Sequence, residues 1–178
     1  VLLSDFHVVE YLGVGYIKAY LESKGIETTI DTVKPEEIDA LIAKVRENKI
    51  SIVGFAAYSN TILSVLNACR KLKSALPYVH ITLGGPQVAS YSKKILEENA
   101  FIDSVIEGEG EFAFYDLASH IESAESLSGI KGLTYRDQNG EIIQNAPSEW
   151  IDNLDVLPFP DRTIFEQNKA DFMFISGG

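Results

Sequence analysis

Cysteine is almost absent from this sequence of 178 residues, since Cys69 is the only one. A single cysteine excludes an internal disulfide framework and any cysteine-rich metal cluster within these residues. We therefore expect a reducing, intracellular location, and cytoplasmic is the predicted compartment.

Basic residues and long apolar runs are also scarce. The sequence has 15 Lys and Arg and 26 Asp and Glu, which gives a net charge of −11. Because a phosphate-binding surface needs clustered Lys and Arg, we expect no nucleic-acid partner. The longest apolar run, 50–57, is far shorter than the roughly 20 residues of a membrane helix, so no membrane span is predicted. The chain starts directly on a strand-like segment, which predicts no signal peptide.

Three catalytic or nucleotide-binding signatures are missing. No G-x-G-x-x-G follows the first predicted strand, and neither G-x-x-x-x-G-K-[ST] nor G-x-S-x-G occurs anywhere. His80 falls within a predicted strand and His120 within a predicted helix, where structural roles are expected. We predict a domain that holds a ligand and contributes no catalytic residue of its own.

Apolar segments of strand length alternate with segments of helical periodicity through the first 123 residues. The predicted strands are 1–4, 26–32, 50–57, 79–83 and 102–106, and a helical pattern follows each of them. Five strand–helix units in series predict an α/β fold with a doubly wound, five-stranded parallel sheet of Rossmann or flavodoxin type.

The pattern changes after Ser123. Segments 132–136 and 141–145 flank Asn139-Gly140, a strong hairpin signal. We expect three regions: an α/β domain at 1–123, a hairpin and proline-containing linker at 124–162, and the start of a further domain at 163–178. The tail is rich in aromatic residues, which predicts an apolar surface for that further domain, unless the hairpin extends the edge of the sheet.

The carboxyl ends of the predicted strands carry a set of residues suited to a ligand. Ligands of open parallel sheets bind beyond these ends. Gly84 and Gly85 allow close approach to the main chain, and Ser59 and Thr61 supply hydroxyl groups. Each feature alone is typical of a turn or a helix cap, but their shared position at one edge favours a binding site.

In this order, Leu12-Gly13, Ser59-x-Thr61, Gly84-Gly85-Pro86 and Gly108-Glu109-Gly110-Glu111 resemble the cobalamin-binding N-terminal domain of cobalamin-dependent radical S-adenosylmethionine (SAM) proteins, a family of Fe-S oxidoreductases. Segment 157–162, Leu-Pro-Phe-Pro-Asp-Arg, resembles the linker to their catalytic barrel. Segment 172–178 resembles the strand that precedes their three-cysteine loop, so the chain is expected to be truncated just before that motif.

The resemblance implies cobalamin as the ligand. In the full-length protein it also implies SAM and a four-iron four-sulfur cluster, with the protein's own C-terminal radical SAM barrel as partner. The implied chemistry is methyl transfer, or radical rearrangement or cyclisation, on that barrel, while these residues alone catalyse nothing. The predicted cofactor-binding residues, hereafter the rim residues, are Tyr11, Leu12, Gly13, Tyr58, Ser59, Asn60, Thr61, Gly84, Gly85, Pro86, Gln87, Gly108, Glu109 and Gly110.

The cobalt ligand found in many cobalamin domains is not matched. Their D-x-H-x-x-G motif, aligned on Gly13, places Val8 and Glu10 at the Asp and His positions. A shift of three residues matches Asp5 and His7 but replaces the motif glycine. We predict no metal ligand in this chain, with His7 as the alternative candidate.

Two other functions remain open. The same fold could lack cobalamin and serve as a packing or substrate-docking module. A phosphorylated receiver domain would need an Asp at the end of the third strand, where the chain has Ala56-Ala57-Tyr58, and a Lys after the fifth, where it has Gly108.

Overall fold

The computed structural model describes residues 2–5 and 12–163. Its strands are β1 (Leu2–Asp5), β2 (Thr29–Thr32), β3 (Ile52–Ala56), β4 (His80–Gly84), β5 (Ser104–Ile106), β6 (Leu133–Arg136) and β7 (Ile142–Gln144). Its α-helices are α1 (Leu12–Ser23), α2 (Ile38–Glu47), α3 (Ile62–Ala75), α4 (Pro86–Ala89), α5 (Ser92–Glu98) and α6 (Gly110–Ser123). Two 3-10 turns are Pro35–Glu37 and Leu154–Val156.

One sheet contains all seven strands, in the order β2-β1-β3-β4-β5-β6-β7. The first five strands pair in parallel, and β6 and β7 pair antiparallel. The predicted α/β class and hairpin are confirmed. The prediction of a five-stranded, wholly parallel sheet is wrong for the sheet as a whole, because the hairpin pairs along the free edge of β5 and makes the sheet mixed.

The helices form where apolar residues recur at helical spacing. In α2 this stripe buries Ile38, Leu41, Ile42 and Val45. Pro35 lies in the turn before α2, where its missing amide hydrogen costs no helical hydrogen bond. Just beyond α1, Gly25 has a φ of +84°, which a residue with a side chain rarely adopts.

Helices cover both faces of the sheet. On one face, α2, α3 and α5 pack on Val53, Phe55 and Leu83. On the other face, α1 and α6 form a second core with Ile52, Ile106 and the hairpin. The hairpin and the segment before it contribute Ile130, Leu133 and Tyr135 to this core. These three residues are therefore part of the same hydrophobic interior as the α/β unit.

A buried polar chain links β4 to β5. Ser104 Oγ lies 2.8 Å from His80 Nε2 and donates to Thr82 Oγ1 at 2.9 Å. Burial lowers the pKa of His80 to about 4, so the imidazole is neutral near pH 7. The hydrogen bonds among these three side chains offset the free-energy cost of burying their polar groups. The arrangement agrees with the structural role expected for His80.

We predict that Leu133→Ala destabilises the chain by about 2–5 kcal/mol, because the truncation leaves a cavity at a side chain that is fully buried. Urea unfolding measures the change. Leu154→Ala is the matched control, since Leu154 is exposed and its truncation is expected to change stability by less than about 0.5 kcal/mol. Equal, small effects of both substitutions would show that the hairpin does not share the core.

Candidate functional site

A cavity of about 260 Å³ lies where β3, β4 and β5 reach their carboxyl ends, between the sheet and helices α1 and α6. This is the position at which parallel α/β sheets hold ligands. The described residues that line it belong to these five elements and to the segments that follow the strands. The cavity is therefore the first candidate for a binding site.

The sheet side of the cavity carries little side-chain bulk. Gly54 pairs with Thr82 and Ala56 with Gly84 across β3 and β4, and all four residues line the cavity. Alternation along a strand sends the intervening Phe55 side chain into the core on the opposite face. A Cβ added at Gly84 would meet no atom within 4 Å. The small residues of one face thus leave open space at the centre of the sheet.

The helix side of the cavity is apolar and closely packed. Ile17 of α1 and Phe114 of α6 both line it. A Cβ at Gly110 would lie 2.8 Å from Ile17 Cδ1, so glycine at this position lets α6 approach α1 closely. The two helices therefore bridge the cavity without filling it.

At the end of β4 a second glycine is required by the backbone. Gly85 has a φ of +102°, and an added Cβ would lie 2.7 Å from the carbonyl oxygen of Ala57. The same corner is closed by a 2.8 Å hydrogen bond from the Ala57 amide to the Gly84 carbonyl. Gly85 thus shapes the corner, whereas Gly84 faces the open space.

The structure brings together eight of the rim residues named from the sequence. Those that line the cavity are Gly13, Tyr58, Gly84, Gly85, Pro86, Gly108, Glu109 and Gly110. The role of these eight in ligand binding stays a prediction. Tyr11 and His7 lie outside the described residues.

The remaining rim residues do not line the cavity. Ser59 Oγ donates to Gln87 Oε1 at 2.6 Å, so these two side chains join neighbouring loops. Thr61 Oγ1 accepts a hydrogen bond from the Tyr58 amide at 3.2 Å. Leu12 and Asn60 are exposed outside the cavity.

Sequence reasoning missed the interior of the cavity. Within β3, Gly54 interrupts an otherwise apolar strand. A glycine in the interior of a strand often marks a place where a ligand or another segment of backbone approaches closely. Thr82, Ile17 and Phe114 gave no such signal, because each fits an ordinary strand or helix pattern. Glu111 ends the Gly108–Glu111 motif but is not among the predicted rim residues.

Of the two acidic residues that line the described part of the cavity, Glu111 is the buried one. Its side chain lies in the first turn of α6, and Glu111 is only 6% exposed. Burial raises its pKa, and the neighbouring charge of Glu109 adds to this effect. Its Oε2 is buried without a hydrogen-bond partner among the described residues. Leaving a buried polar atom without a partner costs free energy, which a hydrogen bond would offset.

The B12 binding domain family matches residues 2–118. The chain belongs to this family. The recognition of a cobalamin-binding type of domain from the sequence is therefore confirmed. Within the described part of this B12-binding domain, no cluster of His, Cys, Asp and Glu could hold a metal ion, and no helix has the length and apolarity to cross a membrane.

Relatives of this B12-binding domain are longer proteins. An uncharacterized methyltransferase of Pyrococcus horikoshii is 27% identical over 159 residues, which cover 89% of this chain and 34% of that protein. The anaerobic magnesium-protoporphyrin IX monomethyl ester cyclase of Rubrivivax gelatinosus is 25% identical, covering 88% of this chain and 29% of the cyclase. The chain thus spans about a third or less of the length of these relatives.

Solved structures share the fold of the B12-binding domain. The cobalamin-dependent SAM radical enzyme OxsB, with aqua-cobalamin and SAM bound, superposes with a TM-score of 0.81 at 16% identity, covering 95% of this chain and 25% of OxsB. The radical SAM methyltransferase TsrM from Kitasatospora setae gives a TM-score of 0.71 at 17% identity, covering 83% of this chain and 30% of TsrM. At these identities the likeness establishes the fold.

The linker of the B12-binding domain docks on α1. The Asp161 amide donates to the Gly15 carbonyl at 3.1 Å, and the Asp161 carboxylate forms a 2.5 Å ion pair with Lys18. Burial alone would raise the pKa of Asp161, but hydrogen bonds from Lys18 and Thr163 lower it to about 2. A Cβ at Gly15 would lie 2.5 Å from the Asp161 carbonyl oxygen. Glycine at position 15 is therefore required for this contact.

We predict that Gly15→Ala releases the linker from α1, because the added methyl group overlaps the Asp161 backbone. Faster proteolysis within 150–163 and faster amide exchange at Asp161 are the measured results. Gly13→Ala on the same helix is the control for both, since its Cβ meets no atom within 4 Å and alanine favours the helix by roughly 0.5–1 kcal/mol. Unchanged proteolysis in Gly15→Ala would contradict the docking.

Proposed function

We propose that this chain binds cobalamin, with the corrin ring at the rim residues and the nucleotide tail in the cavity. The observation that carries this proposal is the membership of residues 2–118 in the B12 binding domain family. The position of the cavity, at the carboxyl ends of the central parallel strands, supports it.

The residues present fit such a cofactor. Gly84 and Gly13 leave open space where a side chain would otherwise stand, so a flat ring can approach the main chain. Apolar side chains such as Ile17 and Phe114 suit an aromatic base inserted between the sheet and the helices. No histidine lines the cavity among the described residues. We expect cobalamin to bind with its own base detached from cobalt.

For the whole protein we propose a cobalamin-dependent radical SAM enzyme. The names of the relatives, which include a methyltransferase and a cyclase, support methyl transfer or radical rearrangement or cyclisation as the reaction class. SAM and a four-iron four-sulfur cluster would belong to a C-terminal barrel beyond this chain, reached through the linker. The bound cofactor supplies the reactive cobalt chemistry, while this chain binds it, orients it and excludes water from its tail.

Hydroxocobalamin is the direct test of the proposal. We expect the purified chain to retain it after desalting, with the absorption spectrum of the form in which the base is detached from cobalt. The control is the same desalting without protein. Loss of all corrin absorption from the protein fraction would contradict cobalamin binding.

We further predict that Gly84→Val lowers cobalamin affinity by at least about tenfold while the sheet remains folded, because the branched side chain occupies open space beside the cavity. Spectral titration measures affinity, and far-ultraviolet circular dichroism reports the fold. Gly85→Val is not a suitable second variant for this test. At the positive φ of residue 85 a valine would be strained, and its Cβ would overlap the Ala57 backbone, so the substitution would disturb the fold itself. Unchanged affinity in Gly84→Val would place the cofactor elsewhere.

A further inference from the structure

The described polar groups of the cavity are few, and none of them is basic. Among the described residues that line it, the polar side chains are Tyr58, Thr82, Glu109 and Glu111, and there is no Lys, Arg or His. A phosphate group deep in this cavity would meet two carboxyl groups and, among these residues, no cation. The interior therefore favours an uncharged group over an anion.

Most of these polar groups already have partners or reach solvent. Thr82 Oγ1 accepts a hydrogen bond from Ser104, and Glu109 is partly exposed at the mouth. Tyr58 is engaged within the protein as well. Glu111 differs, because it is buried and its Oε2 has no hydrogen-bond partner among the described residues. Buried polar atoms in native proteins nearly always have a partner, so a ligand is the natural candidate for this one.

The protonation state of Glu111 decides which partner fits. Burial and the nearby Glu109 raise its pKa, while the amides of Gly110 and Glu111 oppose this effect more weakly. A neutral carboxylic acid carries an O–H donor, whereas a carboxylate can only accept. A raised pKa favours the neutral form, and an uncharged hydrogen-bond acceptor matches a neutral Glu111.

An aromatic nitrogen with a free lone pair is such an acceptor. When the base of cobalamin is detached from cobalt, its benzimidazole exposes one nitrogen of this kind on a flat, otherwise apolar ring. The ring suits the apolar walls formed by Ile17 and Phe114, and the nitrogen suits an O–H donor. We propose that Glu111, which lines the cavity with a buried and unpartnered carboxyl oxygen, is protonated when cobalamin is bound and donates a hydrogen bond to the free nitrogen of the cobalamin base. This inference rests on the proposed function.

The test compares cobalamin with cobinamide, a corrin that lacks the nucleotide base. Spectral titrations of the 178-residue chain with hydroxocobalamin and with diaquacobinamide use wild type, Glu111→Leu and Glu111→Gln. Glu122→Leu is the matched control, because it makes the same change at an exposed position of α6. Should the leucine variant fail to fold, Glu111→Ala carries the same comparison.

We expect Glu111→Leu to weaken hydroxocobalamin binding by about tenfold and to leave cobinamide binding unchanged, since one hydrogen bond to the base is lost. Glu111→Gln is expected to stay within about threefold of wild type for both ligands, because its amide N–H replaces the donor. Glu122→Leu should match wild type throughout.

Three results would overturn the inference. Unchanged cobalamin affinity in Glu111→Leu would exclude a contact with the base. Equal weakening of cobalamin and cobinamide would assign Glu111 a purely structural role. A loss in Glu111→Gln as large as in Glu111→Leu would show that a charged carboxylate is needed. Failure of the wild type to bind either ligand would instead reject the proposed function, and the inference with it.

Discussion

The small side chains toward the carboxyl ends of β3 and β4, on one face of the sheet, are the constraint on which the site depends. Gly54, Ala56 and Gly84 lie on that face, while the intervening residues Phe55 and Leu83 fill the core on the other. A sheet packed equally on both faces would have no cavity, because protein interiors close around large side chains. The asymmetry costs apolar contacts on the α1/α6 face. The hairpin offsets part of this loss, since it brings Leu133 and Tyr135 into the same core.

Helix packing keeps that space from collapsing. Close approach of α6 to α1 at Gly110 places both helices across the cavity, and the edge-on contact of Tyr20 with Phe112 extends the same interface. The small side chains of the sheet are thus bridged by two helices that support each other. Because α6 also begins at the cavity, its first turn presents Glu111 there. The position of this carboxyl group follows from the packing of the helices.

Local sequence patterns predicted the elements well and their long-range relations less well. Strand and helix periodicity identified the five parallel strands, and Asn139-Gly140 identified the hairpin. Addition of the hairpin to an edge of the sheet was one of the expected alternatives, but the local sequence does not show which edge it joins, so its pairing with β5 in particular was not predicted. The same limit applies to the site. Glycines at strand ends were visible in the sequence, but Ser59 bonds to Gln87, 28 residues away, and a hydroxyl group in the sequence does not reveal its partner.

Helix α1 joins the cavity to the linker. Val14 and Ile17 line the cavity, whereas Gly15 and Lys18 hold Asp161. These positions fall within about one helical turn, roughly 6 Å along the axis, at 1.5 Å per residue. The fold shared with OxsB covers 95% of this chain, which is more than residues 2–118 alone, so it includes part of the hairpin and linker region. Docking on α1 therefore fixes residue 161 of the linker close to the cavity.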